Sequence, residues 1–344
     1  MRTNLFQVLF ILLLIPGFLK AEKVHKEKEE AFNPGEMIAH HITDSHEWHF
    51  ATIGEYSIVL PLPIILYSPE KGLSVFSSSN FEENPAHVYE GYKLIHDHIV
   101  PVDAGITVYD FSITKNVTQI IVICLILLGV FLSVAAGYKK NQGKAPSGIQ
   151  SFFEPIIIYI RDDVAKPNIG KKYERYMPYL LTIFFFVWFN NVSGLIPGAA
   201  NITGNVAITG VLALFTFLIT NFSGNKYYWG HVFWTPGVPL PLKFIIVPIE
   251  MIGLFIKPFS LTVRLFANML AGHIIILSFL GLIFMFESLG VATVSIPFAL
   301  FMGFLELFVA LLQAYIFTLL SAMYIAAAVG EHAHDEHHVD PALY

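Results

Sequence analysis

Apolar residues along this chain gather into long, nearly uncharged blocks that dominate everything after Lys115. Val117 to Tyr138 carries no charge over about 22 residues, enough for the ~20 that a helix needs to cross a bilayer. Tyr179–Pro197 and Val206–Phe222 are shorter blocks of the same kind, and Pro258–Phe286 and Ser288–Val329 are longer ones. Five membrane spans are predicted. The last two are too long for simple crossings: about 29 and about 42 residues make helices of about 44 Å and about 63 Å, against a hydrocarbon core of about 30 Å. Such segments must tilt, kink or run along the membrane, and Pro297 is expected to break the second. Joined by the short turn "ES" at Glu287 and Ser288, the pair reads as a long, strongly tilted helical hairpin.

The polar connections orient these spans. The stretch 139–175 holds Lys139, Lys140, Lys144, Arg161, Lys166, Lys171, Lys172 and Arg175, and the stretch 225–257 holds Lys226, Lys243 and Lys257. The connections "GAANITGN" and "FESLG" hold neither Lys nor Arg. Positive loops stay in the cytoplasm, so the N-terminal region is expected outside and the tail after Gly330 inside. Within the first positive connection, Ile149, Phe152, Phe153, Ile156, Ile157, Ile160 and Val164 fall at helical spacing, with Gln150, Glu154, Arg161 and Asp162 opposite. This predicts an amphipathic helix on the inner membrane surface, its start delayed by Pro155; the same stripe would suit a cytoplasmic partner.

The N-terminal third has a different pattern. Arg2, the apolar run Leu5–Leu19 and Ala21 make a signal peptide over residues 1–21, the alternative being an uncleaved anchor helix. Residues 22–115 then mix a charge run, "EKVHKEKEE", with β-formers punctuated by Pro and Gly-Ser, which predicts a small extracytoplasmic cap with short strands. Its His40, His41, His46 and His49 match no common zinc spacing and are read as solvated or capping. The membrane domain spans 116–330, and residues 331–344 form a His-rich cytoplasmic tail read as solvated, with no metal assigned. The predicted fold class is an all-α polytopic membrane protein carrying this cap and the inner-face helix.

Composition narrows the function classes. The chain is 55% hydrophobic and 13% charged, where a soluble domain carries about 25% charged residues, so lipid solvates most of it. The net charge of −6 gives no basic surface for nucleic acid. The single cysteine, Cys124, excludes an intrachain disulfide. No H-E-x-x-H or nucleophile-elbow motif is present for a membrane hydrolase, and no internal repeat suggests a secondary transporter.

Polar residues inside the last two spans carry the candidate chemistry. Arg264 costs roughly 2.5–3.5 kcal/mol at the centre of a spanning helix and so implies a function. Asn268 lies four residues on and Ser260 four before, all on one face, while His273 points about 180° away. In the final span Glu306, Gln313 and Tyr324 fall within about 20° of one line. Interhelical hydrogen-bond glue would explain Asn268 and Gln313 alone, and neutralising pairs involving Arg264, Glu306 or His273 would explain the charges. Taken together, the set favours ion or proton movement.

The segments "SLTVRLFANMLAGH", "LLQAYIFTLLSAMYIA", "PYLLTIFFFVWFNNVSGLIPG", "NITGNVAITG" and "IEMIGLFIKPFSLTVRLFANM" resemble subunit a of the F-type ATP synthase membrane sector. The resemblance runs from about Met37 to Glu331, excepting an insertion around Glu55–Asp103. It implies that Arg264 matches the family's essential arginine facing the c-ring carboxylates, with Asn268 and Gln313 beside it. His273 and Glu306 match two positions of an aqueous half-channel; many bacterial members have Glu at the first and His at the second, the reverse of this chain. Glu250, Lys257 and Ser260 match polar positions near the cytoplasmic side, and Tyr324 one near the C-terminus.

The resemblance further implies a non-catalytic, proton-translocating stator subunit in a bacterial inner membrane. Its partners would be the c-ring, b-type stator subunits and lipid, and it would need no cofactor. A sodium-translocating version and a structural anchor with a buried Arg–Glu pair are the alternatives.

Overall fold

The uncharged blocks form helices that run further than their charge-free limits. The computed structural model describes residues 20–23, 35, 43–53, 56–82, 87–95, 97–103, 105–196 and 198–330. The expected signal-peptide core, His40, His41 and the His-rich tail lie outside the described residues. The described residues form two compact units. The first draws on Met1–Phe153, Phe185–Asn205 and Leu265–Gln313, the second on Glu154–Phe184, Val206–Arg264 and Ala314–Tyr344.

In the first unit, the strands expected in the N-terminal region form three antiparallel three-stranded sheets. β1 (Lys20–Lys23) and β2 (Glu47–Ile53) flank β3 (Tyr56–Pro61), and Ala21, the expected cleavage residue, lies in β1. β4 (Pro63–Ser68) lies between β5 (Gly72–Ser77) and β9 (Tyr109–Asp110). β7 (Tyr92–Ile95) lies between β6 (Val88–Tyr89) and β8 (His98–Pro101). The short helix α1 (Ser79–Glu82) contributes Phe81 to a core with Ile64, Leu66 and Tyr92. Alternation places Ile64 and Leu66 inward and leaves Tyr67 outward, as a half-buried strand requires. His46 is not solvated: it is buried and bonds Asp110 of β9 at 2.9 Å.

Helix α2 (Lys115–Lys140) follows, 26 residues long and closed by Lys139 and Lys140 at its C-terminal end. Gln119 ties it to the first unit: its amide donates to Ser193 Oγ and to the Ala200 carbonyl, both at 2.9 Å, and its oxygen accepts from the Ala200 amide. α3 (Ile149–Tyr159) starts at Ile149 with Pro155 inside it, so the proline does not delay the helix. Phe153 is buried among Phe131, Phe185 and Phe189, whereas Phe152 is 61% exposed. The stripe at 149–164 is therefore partly a packing face.

A π-helical turn, Ile160–Ala165, leads into α4 (Lys166–Ile169) and then α5 (Tyr173–Gly194). α6 (Val206–Phe222) and α7 (Lys226–Phe233) are bent by 104° across a short break. Asn225 fixes that bend in the second unit. Its Oδ1 accepts from the Tyr228 amide at 2.8 Å, its own amide N–H donates to Ala328 O at 3.0 Å, and its Nδ2 donates to Gly330 O at 2.9 Å.

The largest departures from expectation concern the last two helices. α8 (Leu240–Phe286) has 47 residues and begins well before Pro258, incorporating Pro248 and Pro258. α9 (Leu289–Val329) has 41 residues and runs through Pro297 unbroken. A proline removes one intrahelical donor, and membrane helices tolerate this where neighbouring groups satisfy the freed carbonyl. Beside Pro258, Thr262 Oγ1 also donates to the proline's own carbonyl at 2.9 Å. By length and composition, α2, α8 and α9 can each cross a membrane, and α6 with α7 would make a fourth span if the bent pair crosses once.

Candidate functional site

Within the first unit, three contacts align the end of α8 with the start of α9. Asn268 Nδ2 donates to Gln313 Oε1 at 3.0 Å, Gly272 lies against Glu306, and the rings of Phe279 and Phe298 stack at 5.5 Å. As the α8 number rises the α9 number falls, so these segments run antiparallel from the turn at Glu287–Ser288. Two further asparagines hold them. Asn191 of α5 donates to the Ala310 carbonyl at 3.1 Å, and Asn201 donates to the Met269 carbonyl at 3.5 Å.

This frame buries a carboxylate. Glu306 is only 4% exposed, and neither of its carboxylate oxygens has a hydrogen-bond partner among the described residues. A buried charge without a partner is expensive, so such a group marks a functional position or a proton site. Gly272 makes the placement possible. A Cβ there would come within 2.9 Å of Glu306 Oε1 and 3.0 Å of its Cδ, so any larger residue would make the carboxyl shift from this position. His273 follows at once in sequence and is half-buried, but no hydrogen bond joins it to Glu306. The neutralising His273–Glu306 pair weighed from the sequence is thus not formed.

The second unit gathers the other candidates. Lys257 Nζ lies 5.6 Å from the centre of the Tyr324 ring, in cation–π range. Glu250 Oε1 lies 3.9 Å from His231 Nδ1 of α7. A cavity of ≈ 290 Å³ is bordered by Tyr227, Tyr228, His231, Glu250, Lys257 and Gly330. Ser260 and Arg264 are half-buried on α8, and Arg264 makes no hydrogen bond or salt bridge among the described residues. Arg264 is also the last α8 residue of the second unit; Leu265 begins the first unit's share of the helix.

An arginine without a hydrogen bond or salt bridge among the described residues, a buried glutamate without a hydrogen bond, and a cavity bordered by His231, Glu250 and Lys257 suit an ion-handling membrane subunit. Comparison with known proteins gives the family. The model described as ATP synthase A chain matches residues 117–326. The chain is 47% identical to "ATP synthase subunit a" of Chloroherpeton thalassium over 73% of this chain and 77% of that protein. It is 41% identical to "ATP synthase subunit a 2" of Chlorobaculum tepidum over 95% of this chain and 82% of that protein. A second model, a domain of unknown function (DUF8433), matches residues 37–120.

The chain belongs to the ATP synthase A chain family.

Membership makes it a membrane protein and an ion-translocating stator subunit of the Fo sector. All nine candidate residues named from the sequence fall inside the match to the ATP synthase A chain. The structure brings together Asn268 with Gln313, and Lys257 with Tyr324. Two residues escaped the sequence reading. Gly272 gave no signal beyond adjoining His273, because a close approach to Glu306 is visible only once the helices pair. His231 lay in a connection noted for its lysines, 19 residues before Glu250, and only the bend between α6 and α7 brings the two together.

Proposed function

We propose that this chain translocates protons as the stator partner of the c-ring, through two aqueous half-channels separated by Arg264. In this reading it spans the membrane five times, α5 supplying the remaining crossing beyond those that length and apolarity alone select. α8 and α9 form the tilted hairpin against the rotor, the N-terminal sheets lie outside, and cleavage of the signal peptide frees them. The membrane is the bacterial plasma membrane, with b-type stator subunits completing the sector.

The single observation that carries the reading is Arg264, half-buried in an apolar helix without a hydrogen bond or salt bridge among the described residues. Arginine stays charged at any physiological pH and cannot relay a proton. Its natural counter-charge is supplied from outside the chain, by the carboxylates that the rotor presents in turn. Ala267 and Ala271, small and exposed near Asn268, allow a rotor helix to come close.

A proton enters from outside by way of Glu306 and His273 and neutralises a c-ring carboxylate, which can then enter lipid. After nearly a full turn that carboxylate meets the inner half-channel, lined by Glu250, Lys257 and Ser260, and gives up its proton. Arg264 favours the ionised carboxylate and blocks direct leakage between the channels. Each charge moved yields about 2.3 kcal/mol per 100 mV of membrane potential. Replacement of Arg264 by Ala in the complete complex, reconstituted in vesicles, is expected to abolish ATP-driven proton pumping while the complex still assembles. Undiminished pumping would overturn the proposal, and pumping that requires sodium instead of protons would replace the ion.

A further inference from the structure

We infer that His231 is a proton-exchanging group of the inner half-channel, working with Glu250 at its mouth. The inference rests on the proposed inner half-channel and adds a residue to it.

Geometry supplies the first argument. His231 Nδ1 stands 3.9 Å from Glu250 Oε1, beyond a direct hydrogen bond but within reach through one water molecule. The cavity beside them, ≈ 290 Å³, has room for several waters at about 30 Å³ each. Both side chains are open to it, at 50% and 39% exposure. A carboxylate and an imidazole sharing such a cavity can pass a proton between themselves and bulk water.

The neighbouring groups supply the second argument. The titratable side chains around this cavity are Tyr227 and Tyr228 on α7 and Glu250 and Lys257 on α8, besides His231 itself. Tyr228 Oη is spent on Asn221 Oδ1 at 3.2 Å. The Lys257 ammonium sits over the Tyr324 ring. Glu250 is thus the cavity's one carboxylate, and its only ion-pair partner among the described residues is His231. Tyrosine and lysine ordinarily hold their protons through the neutral range, whereas histidine ordinarily exchanges its own there. Of the groups facing Glu250, the imidazole is the one suited to exchange protons at each turnover.

The bend of α6 against α7 supplies the third. Asn225 locks it through three hydrogen bonds, two of them to the end of α9. Tyr228 and Val232 of α7 pack against Ala328. His231, on the same short helix, is therefore held at a set distance from Glu250 instead of lying on a free loop.

The test uses the complete enzyme in vesicles with its catalytic sector facing the outer medium, so that ATP-driven pumping draws protons through the inner half-channel. His231→Gln is expected to lower pumping severalfold at pH 8, where free protons are scarce, and only slightly at pH 6. Millimolar imidazole in the outer medium is expected to restore the loss at pH 8. His231→Asn should behave alike, guarding against a packing defect peculiar to one variant. Combined with Glu250→Gln, either change should cost less than the product of the separate losses, because the two residues act on one step.

A loss equal at both pH values and unaffected by imidazole would mean a structural role and overturn the inference, as would no loss at all. Arg264→Ala, assayed alongside, separates the two readings. If it abolishes pumping while His231→Gln keeps the wild-type pH profile, the inference fails and the half-channel reading stands. If Arg264→Ala pumps normally, the half-channel reading fails first.

Discussion

Glu306 and Glu250 are both glutamates on long apolar helices, yet their surroundings are opposite. Glu306, in the first unit, is 4% exposed, pressed against Gly272, and has no hydrogen-bond partner among the described residues. Glu250, in the second, opens onto a cavity with a histidine 3.9 Å away and a lysine on the same wall. A buried carboxylate without a hydrogen-bond partner in its own chain acts when a proton is delivered to it, so its position has to be tight. A carboxylate that opens onto a cavity with other titratable groups has substitutes at hand. On the proposed function, the outer path depends on Glu306 with His273, while the inner path shares its work among more groups.

The sharpest way to break this contrast is to neutralise each glutamate in turn. Glu306→Gln is expected to lower proton flux by about two orders of magnitude, within the range that a positioned proton-transfer group contributes. Glu250→Gln is expected to cost only severalfold, and flux measured in reconstituted vesicles reads both. Equal losses would erase the difference between the two sites.

A smaller effect is expected from Gly272→Ala. Its Cβ would stand 2.9 Å from Glu306 Oε1, so the carboxyl must swing aside. Flux should fall severalfold and recover in part when Glu306→Asp shortens the acid in the same chain. An alanine variant with wild-type flux would show that the position of Glu306 is not critical.

The smallest effect lies away from both glutamates, in the N-terminal sheets. Burial pushes the Asp110 carboxyl up, but hydrogen bonds from the His46 ring and from Ser112 outweigh it and hold the group below the usual carboxylate range. A carboxyl depressed on folding stabilises the fold above its unfolded value, about 3.9 for Asp, and loses that contribution as pH falls through the folded value. Wild type and Asp110→Asn should therefore differ in stability at pH 6 and converge in acid. Tryptophan fluorescence, reporting on Trp48 where it donates to the Gly198 carbonyl at 2.6 Å, follows the transition. A difference that persists unchanged in acid would refute the assignment.

Much of the candidate site was legible because helical periodicity is local. Four-residue spacing sets Ser260, Arg264 and Asn268 in line, and the offsets of Glu306, Gln313 and Tyr324 do the same. Hydropathy located the membrane helices but not their ends. α8 begins at Leu240 and α9 passes Pro297 without a break, because a proline costs a membrane helix one hydrogen bond and does not by itself end it.

By itself the sequence determined that the chain lives in a membrane, which faces of its last two helices are polar, and that Arg264 must have a reason to be there. These follow from the cost of charge in hydrocarbon and from a fixed number of residues per turn. Only the tertiary structure decided that Asn268 bonds Gln313, that Gly272 makes room for Glu306, and that His231 meets Glu250 across a cavity. Those partners are tens of residues apart or on differently directed helices, and no local rule of spacing brings them together.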